Sequence, residues 1–222
     1  MKNTVIITIV SILLIIGFFF GAYKLTSNST PAVFPEVSKI TAGDHVTWST
    51  QKKHILVEYS DLQCPACKNF HDYIQQDIVN TPKGKVDLTK SITFVYRHFP
   101  LTDLHPHARE AAQAAEAAGK QGKFYEYANK LFATQPEWES LPDTKNYFLT
   151  LAKDLKLDTD RFTADMNSKE VNDHIDQNYD SGVSFTVNAT PTFFIDGKKI
   201  ENLQSFEEFR QILEDVVKAK SS

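Results

Sequence analysis

Val57-Glu58-Tyr59-Ser60-Asp61-Leu62-Gln63-Cys64-Pro65-Ala66-Cys67 is the stretch on which the fold turns. Cys64 and Cys67 are the only two cysteines in 222 residues. The pair must therefore act with itself, with a metal, or with a sulfur brought by a substrate. His54 to Ser60 is rich in strand formers, Asp61-Leu62-Gln63 reads as a turn, and Pro65 falls where a helix's first turn tolerates proline. Cys67, Phe70, Ile74 and Ile78 then recur every three or four residues as one apolar helical stripe. Strand, turn and helix in that order put Cys64 at or near the N-cap and Cys67 about a turn inside. The first sulfur would then meet unpaired N–H groups and the positive end of the helix dipole, which favour thiolate. Cys67, on the buried stripe, should be shielded and protonated. A disulfide spanning so few residues restricts the unfolded chain little. The pair therefore reads as a redox device, with Cys64 the nucleophile and Cys67 the resolving thiol.

Glu58 stands inside the apolar strand, six residues before Cys64. Two readings are open. It can lie on the exposed face of a half-buried strand, since carboxylates are almost never fully buried unless paired. It can instead be a buried acid near Cys67, its pKa raised by desolvation, that moves the resolving thiol's proton.

The segment Val57 to Cys67 resembles the active-site segment of the DsbA-like thiol-disulfide oxidoreductases, thioredoxin-fold proteins of the bacterial envelope. Three more segments are similar to that family in the same order. Phe94 to Leu101 looks like the second core strand and its exit turn, and Gln121 to Tyr127 looks like a helix start in the inserted helical domain. Ala189-Thr190-Pro191-Thr192 to Gly197 looks like the cis-proline loop with its strand pair. The resemblance implies an α/β thioredoxin fold over residues 44–222, with a helical insertion at about 104–184. It implies a cis bond before Pro191 that would expose the Thr190 backbone to a substrate strand, with Pro65 and Ala66 also meeting substrate. An ordinary strand-start proline is the other reading of Pro191. The best-known strong oxidants of the family carry histidine where this chain has Ala66, so a less extreme potential is expected within the family's range of about −270 to −120 mV.

Thr4 to Tyr23 carries no charge and is mostly Ile, Val, Leu and Phe. At about 1.5 Å per residue it could span a hydrocarbon core of roughly 30 Å. It also exceeds the ~7–15-residue apolar region of a removed signal. Residues 1–24 are therefore expected to be an uncleaved transmembrane anchor helix, and residues 25–43 a linker. Lys2 and Lys24 flank the run, so the charge bias is slight, and orientation rests on disulfides persisting outside the cytoplasm. The catalytic domain is expected on the extracytoplasmic side of the cell membrane.

The chain holds 24 basic and 28 acidic residues, a net charge of −4. That argues against nucleic acid as a partner. Between Arg97 and Thr190 the periodicity is helical, with Asp143, Asp158 and Ser168 as caps. Asp196-Gly197 reads as a two-residue hairpin and Ser205 to Glu208 as a capping box. A Cys64/Cys67/His71 metal set would suit a metallochaperone. His71 is expected on the helix face away from Cys64, however, so neither metal nor cofactor is expected. His98, His105 and His107 read as surface or loop-anchoring residues. The expected activity is a monomeric oxidase that passes its disulfide to protein thiols and is reoxidised by a membrane redox partner. A reductase or isomerase using the same pair is the alternative, and residues 25–43 are too few for an isomerase's dimerisation domain.

Overall fold

In the computed structural model the described residues are 12, 14–21, 33–80, 83, 84 and 86–219. Five strands form one mixed sheet: β1 (His45–Trp48), β2 (His54–Ser60), β3 (Ile92–His98), β4 (Thr192–Ile195) and β5 (Lys198–Ile200), in the spatial order β1-β3-β2-β4-β5. β2 is parallel to β3, and the other pairings are antiparallel. A parallel pair needs a crossover. Here helix α1 (Pro65–Tyr73) supplies it, widens into π-helical turns over Ile74–Asn80, and reaches β3 through α2 (Leu88–Ser91). The apolar stripe extends through the wider turns, with Ile74 and Ile78 both buried.

Side chains alternate across a strand, so Leu56 and Glu58 share one face of β2 while Val57 and Tyr59 share the other. Leu56 packs with Cys67, Ile74, Phe94, Phe193 and Phe209. Val57 and Tyr59 pack with Val37, Val95 and Phe194. The sheet is thus covered on both sides, which leaves every residue of β2 except Ile55 buried.

Six helices lie between β3 and β4: α3 (Ala108–Gly119), α4 (Phe124–Ala133), α5 (Gln135–Trp138), α6 (Lys145–Asp154), α7 (Thr159–Met166) and α8 (Lys169–Ser184). Asp158 caps α7 by accepting from the Asp160 and Arg161 N–H groups, and Ser168 caps α8 by accepting from Val171. The N-cap of α6 is Thr144; Asp143, the expected cap, accepts from the Lys145 N–H at 2.9 Å. After β4, Asp196 and Gly197 both take positive φ, the signature of the tight hairpin that leads into β5. Helix α9 (Phe206–Ala219) closes the chain, and Glu208 donates its N–H to Ser205 Oγ at 3.1 Å. The Glu208 carboxylate turns back to the Gln204 N–H, one residue earlier than in the standard capping box.

The expected linker behaves differently where it is described. Pro35–Ser38 forms a 3-10 turn, Val33 bridges Lys198, and Val37 is fully buried. Arg97 holds this segment: its guanidinium donates to the Val37 and Lys39 carbonyls, each at 2.9 Å. Residues 25–32 lie outside the described residues. So does most of the expected anchor, including Lys2, Thr4 to Ser11, Tyr23 and Lys24. Residues 14–21 are helical, and among the described residues no helix is long and apolar enough to cross a membrane.

Candidate active site

β2 ends at Ser60, and Asp61 organises the turn that follows. Its Oδ1 accepts from the Gln63 N–H at 2.8 Å. Its Oδ2 accepts from the Leu101 N–H at 2.9 Å and from His105 Nδ1 at 2.7 Å. The Cys64 N–H closes the turn on the Asp61 carbonyl at 3.1 Å. Cys64 is the N-cap of α1 in an extended conformation, with Pro65 as the first helical residue, and the Lys68 N–H returns to the Cys64 carbonyl at 3.1 Å. Pro65 and Ala66 are exposed beside the sulfur.

This placement divides the two thiols. Cys67 has no exposed surface and accepts the Asp61 N–H on its sulfur at 3.4 Å. Burial pushes the Cys67 thiol well above its ordinary value, and the neighbouring Cys64 sulfur adds to the rise. Cys64 is 6% exposed, and its pKa falls to about 5. The hydrogen bond from Cys67 to its sulfur is the largest cause, opposed by burial and reinforced by backbone N–H groups of Cys67 and Ala66.

Thr190 and Pro191 approach from the loop before β4. Their peptide bond is cis, and Cys64 Sγ lies 3.5 Å from the Thr190 carbonyl. Pro191 also borders a groove of about 520 Å3 lined with Phe70, Phe193, Ile200, Leu203 and Phe206.

Glu58 is buried, on the α1 face of the sheet, with Tyr96 and Phe193 opposite it on the flanking strands. Burial raises its carboxyl to about 7. The Glu58 charge contributes in turn to the raised Cys67 thiol, and the Cys64 charge to the raised Glu58 carboxyl. A cavity of about 210 Å3 adjoins Glu58 and is lined further by His71, Phe94, Tyr96, Tyr125 and Phe132. His71 stacks on Phe132 at 4.6 Å, and burial lowers its pKa to about 4.

His105 and His107 anchor loops, His107 through Nε2 to the Leu141 carbonyl at 2.7 Å. His98 is neither at the surface nor in a loop. It ends β3, is 1% exposed, and donates to Glu116 at 3.0 Å. A residue at the last position of a strand that is covered on both faces stays inside even when it is polar.

Two residues that the sequence did not single out hold the turn. Gln135 Nε2 donates to the Leu62 and Cys64 carbonyls at 2.9 and 3.2 Å. Gln63 Nε2 donates to the Glu139 carbonyl at 2.9 Å, and Gln63 Oε1 accepts from the His107 N–H at 2.6 Å. The local pattern around Gln135 carries no signal for this, because its partners lie more than seventy residues upstream.

Comparison with known proteins agrees with this architecture. The family model described as thioredoxin matches residues 41–215. The Na(+)/H(+) antiporter NhaA 3 of Salinispora tropica is 36% identical over 156 residues. That match takes in 70% of this chain and 22% of the antiporter, so the chain spans about a fifth of that relative's length. The crystal structure of oxidised BdbD from Bacillus subtilis is similar, with a TM-score of 0.68 at 22% identity, covering 86% of this chain and 100% of that one. Wolbachia pipientis alpha-DsbA1 has the same TM-score, 0.68, at 20% identity over 83% of this chain and 96% of that one. The chain belongs to the thioredoxin family, and its fold is that of the DsbA-like thiol-disulfide oxidoreductases.

Proposed function

We propose that the chain is a thiol-disulfide oxidase of the bacterial envelope, tethered through its first 24 residues and acting on protein thiols. The observation that carries this reading is the split between the two sulfurs. Cys64 is acidified at the mouth of the site, and Cys67 is held protonated beneath it. A substrate thiolate attacks Cys64 Sγ of the Cys64–Cys67 disulfide, and the electron pair of the breaking S–S bond leaves on Cys67. Glu58, poised between its two protonation states near pH 7, hands the buried Cys67 sulfur a proton and regains one through the adjoining cavity. That cavity is roomy enough for water and offers it the side chains of Glu58, Gln75 and Asn129 in an otherwise mainly apolar lining. A second substrate thiolate then attacks the substrate's own sulfur in the mixed disulfide, and Cys64 departs as thiolate. Substrate leaves with a disulfide, and the pair holds two electrons that a membrane redox partner removes.

A stabilised Cys64 thiolate favours the reduced form of the enzyme and hence an oxidising disulfide. The exposed Pro65 and Ala66, the Thr190 carbonyl and the apolar groove beside Pro191 form a surface suited to an extended peptide. The match to the antiporter spans 22% of that protein, and sodium–proton exchange is not carried over to this chain.

Titration of the Cys64/Cys67 couple against glutathione buffers is expected to give a potential above about −200 mV but short of about −120 mV, the latter because Ala66 adds no charge. A value near about −270 mV would reverse the assigned direction and make the protein a reductant.

Glu58→Gln is expected to slow exchange near pH 7 and to flatten the rate profile around that pH. Its stability effect has a definite sign. The raised Glu58 carboxyl contributes stability below about 4.5, its ordinary value, and that contribution is lost as pH rises through about 7. Above pH 7 the neutral variant should therefore be the more stable, by up to about 3 kcal/mol in urea melts, with the difference fading in acid. Equal melts at pH 5 and pH 8 would place Glu58 in contact with solvent instead.

A further inference from the structure

Glu116 is out of character for its helix. It is 6% exposed on a helix whose other buried side chains are all alanine, and a buried carboxylate is costly unless paired. Three imidazoles face it. His45 Nε2 on β1 and His98 Nε2 on β3 lie 2.8 and 3.0 Å from Glu116 Oε1, and His174 Nδ1 on α8 lies 3.2 Å from Oε2. Ligand-type atoms of His45, Glu116 and His174 all fall within 4.8 Å of one another.

Room for these rings is built into the backbone. A Cβ at Gly43 would stand 2.8 Å from His174 Nε2, and one at Gly119 would stand 3.0 Å from His45 Cε1. His45 is fixed further by stacking on Phe124 at 3.4 Å, with the rings 6° from parallel. His98 is sealed inside, but the side chains of His45 and His174 keep 17% and 18% of their surface. A cavity of about 390 Å3, lined also by Lys120, Glu170 and Asp173, reaches them from outside.

We propose that His45, Glu116 and His174 form a binding site for a borderline divalent transition-metal ion, with Zn2+ the best fit, and that His98 holds Glu116 in position. Two imidazole nitrogens and one carboxylate oxygen, with a position left open to water, are a zinc-type donor set. Ca2+ and Mg2+ take a shell of about six or more oxygen ligands, of which this set supplies only the Glu116 carboxylate. At Zn–N and Zn–O bonds of roughly 2.0–2.2 Å, a tetrahedral site has edges of about 3.3 Å. His45 lies 2.8 Å from Oε1 and His174 3.2 Å from Oε2, and one ligand atom from each residue falls within 4.8 Å of the others. A turn of the carboxylate and a small movement of the rings bring them to those edges. The ion takes the place of the N–H protons that His45 and His174 now present to Glu116. Each proton moves to the ring's other nitrogen or to solvent, and the freed lone pair goes to the metal. The site would pin β1 of the sheet to α3 and α8 of the helical layer, independently of the cysteine pair.

The test uses the full chain with Cys64 and Cys67 oxidised to the disulfide, so that no thiolate can bind metal. Co2+ serves as the spectroscopic probe, and Zn2+ is titrated in competition with a chromophoric chelator. The expected result is one equivalent of Co2+ with d–d bands and no sulfur charge-transfer band, displaced by Zn2+. His174→Ala should weaken binding more than about a hundredfold, beyond the effect of losing an outer partner. Its metal-free melting temperature should stay close to that of the parent. His45→Phe keeps the ring on Phe124 while removing the nitrogens, and it decides the matter if His174→Ala does not fold. Absence of binding by the oxidised parent, unchanged affinity in His45→Phe, or binding that appears only after the cysteines are reduced would overturn the proposal.

Discussion

Cys64→Ala is expected to reduce thiol-disulfide exchange to the uncatalysed level, whereas Cys67→Ala is expected to accumulate substrates as mixed disulfides on Cys64. The two outcomes differ because the sulfurs occupy different places. Cys64 caps α1 beside the exposed Pro65 and Ala66 and the Thr190 carbonyl, and keeps 6% of its surface open to an incoming sulfur. Cys67 lies fully buried beneath it, out of a substrate's reach but placed to attack Cys64. With Cys67 gone, nothing inside the protein expels a captured substrate, and release waits for an outside thiol. Oxidation of a reduced test protein gives the first result, and non-reducing gels after incubation with disulfide-bonded substrates give the second. The Cys64 thiolate attacks the substrate's S–S bond, and the substrate's other sulfur leaves as thiolate. Adducts on Cys67 in the Cys64→Ala protein, or none in Cys67→Ala, would exchange or remove the assigned roles.

Asp44→Ala is expected to cost about 3–5 kcal/mol, the range for stripping one partner from a buried ion pair. Asp44 and Arg97 meet through two parallel bonds, Nε to Oδ1 and Nη2 to Oδ2, each 2.9 Å long, with side chains only 1% and 5% exposed. Burial pushes the Asp44 carboxyl up, but the Arg97 guanidinium more than offsets this and holds it below its ordinary value. The remaining Arg97 donors go to the Val37 and Lys39 carbonyls and, at 3.2 Å, to the Tyr59 hydroxyl. Removing Asp44 leaves a buried cation with no counter-charge and loosens the segment it holds. In urea the midpoint should fall with an unchanged slope, and thermal melts should drop by about 10 °C. Lys68→Ala, which breaks a partly exposed pair with Asp72, should change stability by less than about 1 kcal/mol. A comparably small change for Asp44→Ala would mean that water reaches the Arg97 site.

The redox turn was legible because its chemistry is written in neighbouring residues. The strand before it, Pro65 at the first helical position and the apolar spacing after Cys67 are all local, and the structure places them as read. Glu58 was ambiguous for a physical reason. β2 lies mid-sheet with both faces covered, so the apolar–polar alternation that reveals a strand's inner face is missing. The segment around Val37 reads as linker because its own side chains give little reason to fold. It is held by Arg97, which comes from another part of the chain. His98 was misread, and Glu116 passed unnoticed, for the same cause. An alanine-rich helix announces itself, but what Glu116 faces depends on β1, β3 and α8 arriving together.

The contacts that shape the redox turn also set an order in time. The carbonyls of Leu62 and Cys64 and the side chain of Gln63 are held by Gln135 and Glu139, which the ribosome adds 71 to 76 residues later. The Thr190 carbonyl beside Cys64 arrives 126 residues after it. A chain interrupted before that point carries the two cysteines without the full set of Gln135, Glu139 and the Thr190 carbonyl around them. The surroundings of the pair are therefore completed late in the growth of the chain, only when the loop before β4 has been added.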